Sequence, residues 1–87
     1  MIVLCNRIIR INNHRTSMRL CRQEWDALNE ICKTEKMSRN HLIELINNHK
    51  ENNIGLAYAT RVFALSYYRQ KSANSLTDID DILSLLS

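Results

Sequence analysis

Between Arg15 and Leu20 the chain alternates strictly, with Thr16, Met18 and Leu20 between Arg15, Ser17 and Arg19, and directly after Leu20 that period is abandoned. A repeat of two residues places Thr16, Met18 and Leu20 on one face of a β-strand and the two arginines with Ser17 on the other. Beyond it, Trp25, Leu28, Ile31 and Cys32 fall at offsets of three, six and seven, a single stripe along a helix. A half-apolar, half-cationic strand running straight into an amphipathic helix admits few folds.

The remaining elements follow from the same reading. Asn12-Asn13-His14 precedes the strand and contains residues that tolerate left-handed turn conformations, so a hairpin over Arg7 to Leu20 is expected, with Ile9 and Ile11 alternating less cleanly upstream. The first helix is expected over Arg22 to Thr34, with Glu24 and Asp26 suited to its positive end and Cys21 an unusual residue for the capping position. Thr34 to Met37 reads as a connection, and Ser38 as the N-cap of a second helix over Arg39 to Lys50 with Leu42, Leu45, Ile46 and His49 on its apolar stripe. Glu51 to Gly55 ends it. A third helix follows with Tyr58, Val62 and Leu65 beside Ala59 and Phe63, apolar over a wide arc and so expected between two neighbours.

Lys71 to Ser75 reads as a polar hinge. Thr77 with Asp80 has the pattern of a helix start, and Leu76, Ile79, Leu83 and Leu86 recur on one side of a short amphipathic helix. The expected organisation is residues 1–71 as one folded domain with an N-terminal extension and third helix, and residues 72–87 as an acidic amphipathic tail. Such a tail needs a surface to dock on, whether the chain's own core, a second copy of the chain or another protein.

Net charge is +3 over 87 residues, too mild by itself to indicate nucleic acid. Its distribution is the informative part. Met1 to Gln23 holds Arg7, Arg10, Arg15, Arg19 and Arg22 with no carboxylate, whereas Ser72 to Ser87 holds Asp78, Asp80 and Asp81 with no cation. The three cysteines, Cys5, Cys21 and Cys32, form no disulfide framework or C-x-x-C pair and suit a reducing compartment. Met1 to Cys5 is too short for a signal-peptide core, and the polar residues that follow interrupt any membrane span, so a cytoplasmic protein is expected.

Catalysis and cofactors find no support. There is no nucleophile elbow and no glycine-rich phosphate loop, since Gly55 is the single glycine. His14, His41 and His49 stand at no ligand spacing from a cysteine, so no metal is expected. Trp25 reads as a core anchor rather than a base-stacking residue.

Arg15-Thr16-Ser17-Met18-Arg19-Leu20, Trp25-Asp26-Ala27-Leu28, and Arg61-Val62-Phe63-Ala64-Leu65 followed by Tyr67-Tyr68-Arg69 occur in that order. Over about Ile11 to Gln70 this resembles the ribbon-helix-helix superfamily of the Arc/MetJ type, close to short bacterial members with an R-T-S-x-R-L and W-D-A-L pattern. The chain departs from it at Lys36, where members often have glycine, and at Cys21, where they have a carboxylate or hydroxyl residue.

The resemblance implies a mainly α fold with a short β-strand, an intertwined two-fold dimer with an extra third helix and a short C-terminal helix. It implies a sequence-specific transcriptional regulator, most simply a repressor, whose strands from two chains pair as an antiparallel ribbon in the major groove of double-stranded DNA. Arg15, Ser17 and Arg19 would then contact bases, and Ser38, Arg39 and Asn40 at the start of the second helix would contact phosphate. Chemistry agrees: arginine can bind guanine O6 and N7 bidentately, and a helix N-terminus offers free amides to an anion. The homodimer is expected on physical grounds too, because a lone strand with an apolar inner face needs covering. The competing reading is an interaction module or antitoxin-like protein that binds a partner through its tail.

Overall fold

The computed structural model describes residues 2–73 and 78–86. Its first element is a two-stranded antiparallel hairpin, β1 (Leu4–Ile11) and β2 (His14–Cys21), closed by Asn12 and Asn13. Both asparagines have positive φ, 49° and 69°, the backbone of a type I′ turn whose twist matches that of paired strands. Asparagine is among the few residues with a side chain that enter this region at modest cost. The turn fixes Ile11 opposite His14, and with it the register that places Arg10 opposite Arg15, Ile8 opposite Ser17 and Asn6 opposite Arg19.

The strand content thus exceeds the single short strand expected, and the hairpin is longer than Arg7 to Leu20. β1 escapes a clean sequence pattern because Leu4 and Ile8 lie on its outward face and are exposed.

Among the described residues four helices follow: α1 (Arg22–Glu35), α2 (Arg39–His49), α3 (Leu56–Ser72) and α4 (Ile79–Ser84). Glu24 accepts a hydrogen bond from the Cys21 N–H at 2.8 Å, so the third residue of α1 satisfies the helix start where the capping residue is a weak acceptor. α1 ends at Lys36 in the left-handed conformation, φ 56° and ψ 49°, where the Met37 N–H returns to Cys32 O at 3.1 Å. Lys36 stands where members of the family it resembles often have glycine, the residue that enters this conformation without strain. Ser38 caps α2, its hydroxyl accepting from the His41 N–H at 3.1 Å.

One continuous core lies beneath the inner face of the hairpin. Met18, Leu20, Trp25, Leu28, Ile31, Leu42, Ile43, Ile46, Phe63 and Tyr67 are all buried in it. Trp25 bonds the hairpin to the helices: its indole Nε1–H donates to Cys5 O at 2.9 Å, while the Arg7 and Arg39 guanidiniums lie 5.5 and 5.2 Å from its ring centroid. Met18 and Leu20 are only 4% and 0% exposed within a single chain. The expectation that an uncovered strand face compels dimerisation therefore loses its ground, because the chain's own helices cover that face. Thr16, on the same face of β2 as Met18 and Leu20, is exposed near the turn rather than covered by the helices.

α3 turns only part of the expected apolar arc inward. Ala59, Thr60, Phe63 and Tyr67 are buried, whereas Tyr58 and Leu65 are 60% and 62% exposed. Thr60 fits the interior because its hydroxyl donates to Leu56 O at 2.9 Å. On α2, Ile43 is buried where the expected Leu45 is only half-buried.

α3 continues through Ser72, into the segment read as a hinge. α4 starts one residue later than expected, capped by Asp78, whose carboxylate accepts from the Asp81 N–H at 3.0 Å. Leu76 and Thr77, expected in the tail stripe and helix start, lie outside the described residues. Ile82, Leu83 and Leu86 pack into the same core as the hairpin, and the Glu51 N–H donates to Leu86 O at 3.3 Å.

Candidate nucleic-acid interface

The two-residue turn determines which backbone groups each strand presents. With Ile11 and His14 as a hydrogen-bonded pair, the pairs Ile9 with Thr16 and Arg7 with Met18 are of the same kind, and those between them are not. Residues 6, 8, 10, 15, 17 and 19 therefore send their side chains to the outer face and their N–H and C=O groups away from the partner strand. The Arg10 N–H shows this directly, donating to Asn40 Oδ1 at 2.9 Å across the outer edge of β1.

The outer face is a cationic, hydrogen-bonding surface. Arg15, Ser17 and Arg19 are all exposed on β2, in the alternation the sequence implies. Opposite them stand Arg10, Ile8 and Asn6. Arg10 and Arg15 form a pair that is not hydrogen-bonded, the closer of the two side-chain spacings, and like charges directly opposite destabilise a sheet. Among the described residues, ion pairs join Arg22 to Asp26 and Arg61 to Glu24, and none involves Arg10, Arg15 or Arg19. An anion between Arg10 and Arg15 would remove their mutual repulsion. Both line a shallow depression with Ile8, Ile9 and Asn40.

The N-terminus of α2 sits beside this face because Asn40 ties it to β1. Its side chain is used twice, Oδ1 accepting from Arg10 and Nδ2 donating to Glu44 Oε1 at 3.0 Å. Ser38 caps the helix, and Arg39 stacks on Trp25. Asn40 thus serves as a positioning residue for the helix start, while the first amides of α2 keep the polarity that suits a phosphate.

Sequence reasoning omitted Arg10 and Asn6 from the face. The asparagine pair held the signal: once it is read as a two-residue turn, the register places both opposite the β2 arginines.

Glu24 is held by two elements. Burial pushes its carboxyl up, but the Cys21 N–H and the Arg61 guanidinium, 2.7 Å away, outweigh this and hold it below the ordinary value. Burial and the Glu35 carboxylate, which accepts from the Tyr67 hydroxyl at 2.7 Å, push the Tyr67 phenol up to about 12. Both are structural contacts remote from the outer face.

Among the described residues no cluster of histidine, cysteine or carboxylate side chains is placed to hold a metal ion, and no helix is long and apolar enough to cross a membrane. No curated protein and no solved structure matches the chain. A family model does match: that of the ribbon-helix-helix domain, over residues 4–68, which takes in both strands, the first two helices and most of the third. Ribbon-helix-helix domains are DNA-binding regulators and antitoxins, typically non-catalytic, and bind DNA as dimers. With most of its length matched, hairpin included, this chain belongs to the ribbon-helix-helix domain family.

Proposed function

We propose that the protein is a cytoplasmic, sequence-specific DNA-binding transcriptional regulator, acting as a repressor, that inserts the outer face of its hairpin into the major groove. The observation that carries this reading is the outer face itself, with Arg15, Ser17 and Arg19 in line on β2, Arg10 and Asn6 opposite, and, among the described residues, no carboxylate paired with these arginines. The major groove, about 12 Å wide, admits a two-stranded ribbon. Arg15 and Arg19 supply the forked donors that read guanine, and Ser17 a hydroxyl that donates or accepts. Arg39 and the amides at the start of α2, with Ser38 and Asn40 alongside, take backbone phosphate and fix the register on the duplex.

The protein acts as a homodimer. The N–H and C=O groups of Arg15, Ser17 and Arg19 point to an edge of β2 that no strand occupies among the described residues. Antiparallel pairing of that edge with its copy puts the two β2 strands at the centre of the ribbon and doubles the set of arginines about a two-fold axis. Arg10 and the α2 N-terminus then flank the groove.

A second reading, a ribbon supplied by one chain alone, is favoured by the completeness of the hairpin and the burial of Met18 and Leu20 within a single copy. The tail-binding alternative has less behind it, because Ile82, Leu83 and Leu86 are already packed against the chain's own core. Selection from a random-sequence duplex library, followed by footprinting, separates these readings. The dimer predicts an inverted repeat; a single-chain ribbon predicts an asymmetric site; no enrichment of any sequence contradicts DNA reading altogether.

A further inference from the structure

Ile8 stands exposed among the arginines of the outer face. Its neighbour Ile9 turns inward and is 3% exposed, so the alternation of β1 sends Ile8 outward, where it is 58% exposed. Asn6 and Arg10 flank it along the strand, and it lies opposite Ser17, whose own neighbours on that face are Arg15 and Arg19. Ile8 also walls the shallow depression that Arg10, Arg15 and Asn40 share.

The side chain is held ready for a contact. β1 is tied on both sides of it: the Arg10 N–H donates to Asn40 Oδ1 at 2.9 Å, and the Arg7 guanidinium lies 5.5 Å from the centroid of the buried Trp25 ring. Ile8 and Ser17 form a pair that is not hydrogen-bonded, the arrangement that brings side chains closest. A β-branched side chain is stiff about its first torsion and loses little freedom when covered.

The surroundings select what covers it. A partner that buries Ile8 also covers Arg10, Arg15 and Arg19, which form no ion pair among the described residues, so an apolar protein surface would strand three guanidiniums. Duplex DNA supplies phosphate and guanine acceptors to the arginines, and the one apolar group that base edges present in the major groove is the C5-methyl of thymine. That methyl lies on the backbone side of the thymine O4, the side on which β1 runs when two β2 strands fill the centre of the groove. Outer-face residues follow one another at about 6.8 Å along a strand and base pairs at about 3.4 Å along the duplex, so each such interval spans about two base steps. The level of Ile8 and Ser17 therefore falls between the base pairs taken by Arg15 and Arg19.

We propose that Ile8 is a specificity-determining residue that reads the C5-methyl of a thymine lying between the base pairs contacted by Arg15 and Arg19. This rests on the outer face of the hairpin entering the major groove, and it holds whether one chain or two supply the ribbon.

Replacing thymine by uracil deletes that methyl and nothing else. Each thymine of the duplex recovered by selection is changed in turn to deoxyuridine, and anisotropy titration compares wild type, Ile8→Ala, Ile8→Gln and Leu4→Ala, with melting curves to confirm folding. Leu4 is the control, an exposed residue of the same face that lies opposite Cys21, beyond the arginines. One thymine per bound chain is expected at which uracil raises the wild-type dissociation constant about three- to fivefold, the worth of one buried methyl group. Ile8→Ala and Ile8→Gln should no longer distinguish thymine from uracil there, whereas Leu4→Ala should. Wild type that tolerates uracil at every position, a selected site with no thymine between the two arginine contacts, or a methyl effect that persists in both Ile8 variants would overturn the proposal. If Arg15→Ala and Arg19→Ala still weaken the selected duplex selectively, only the role of Ile8 falls; if selection enriches no sequence, the reading of DNA by the hairpin falls with it.

Discussion

Replacing Trp25 by phenylalanine removes the side chain that holds the hairpin on the helices, and each part of its cost can be worked out. The indole is fully buried, and its N–H to Cys5 O bond of 2.9 Å has no substitute in phenylalanine. Losing such a bond costs about 1 kcal/mol, more where the carbonyl is left dry. The smaller ring leaves a void worth roughly another 1 kcal/mol. Arg7 and Arg39, which lie over the indole, lose part of cation-π contacts worth about 0.5–1 kcal/mol each. The sum is about 2–4 kcal/mol, against a total stability of roughly 4–13 kcal/mol for a chain of this size.

For such a domain the melting temperature should fall on the order of 10–25 °C. Urea titration by circular dichroism measures the free energy, and amide exchange locates it, with β1 losing protection before α1 to α3. A loss below about 1 kcal/mol, or β1 protection unchanged relative to the helices, would refute the role given to Trp25.

Lys36→Gly relieves a left-handed residue at the end of α1; the gain of about 1–2 kcal/mol, less the entropy glycine adds to the unfolded chain, should raise stability by roughly 0.5–1 kcal/mol in urea titration. The Tyr67 phenol, pushed up to about 12, binds its proton more tightly in the folded chain, so its contribution is complete below pH 10 and is lost as pH rises from 10 through 12. A pH series of melts should show that fall, and Tyr67→Phe should reduce it, the remainder coming from Tyr68, whose phenol is also pushed up by burial and by Glu30. Truncation after Lys71 strips Ile82, Leu83 and Leu86 from the core and should cost on the order of 3 kcal/mol or more, while DNA affinity of the fraction still folded is retained.

The order of elements was legible because the chain changes period where the backbone changes conformation. Strict alternation ends at Leu20, α1 begins at Arg22, and Ser38 caps α2 as its side chain predicts. The base-reading candidates were legible for the same reason, since Arg15, Ser17 and Arg19 share one face in any extended conformation. What was missed lies where periodicity is degenerate. α3 has apolar residues on nearly every side, so the pattern could not say that Ala59, Thr60, Phe63 and Tyr67 turn inward while Tyr58 and Leu65 turn out. β1 mixes Ile8 and Ile9 on opposite faces, and its pairing depends on the left-handed backbone of Asn12 and Asn13. Without that register Arg10 had no place opposite Arg15, and the apolar face of β2 had no cover within its own chain.

The central claim, that the outer face of the hairpin reads base pairs, is tested most directly by anisotropy titration of one selected and one random duplex across a range of salt. Wild type, Arg15→Ala, Arg19→Ala and Arg39→Ala would be compared, with folding of each checked because Arg39 also packs on Trp25. If about four to eight phosphates are contacted per dimer, log affinity should fall with log salt at a slope of roughly −4 to −7. Arg15→Ala and Arg19→Ala should each cost about 1–3 kcal/mol on the selected duplex and little on the random one, whereas Arg39→Ala should weaken both alike. A flat salt response, or equal losses on both duplexes from all three substitutions, would contradict it.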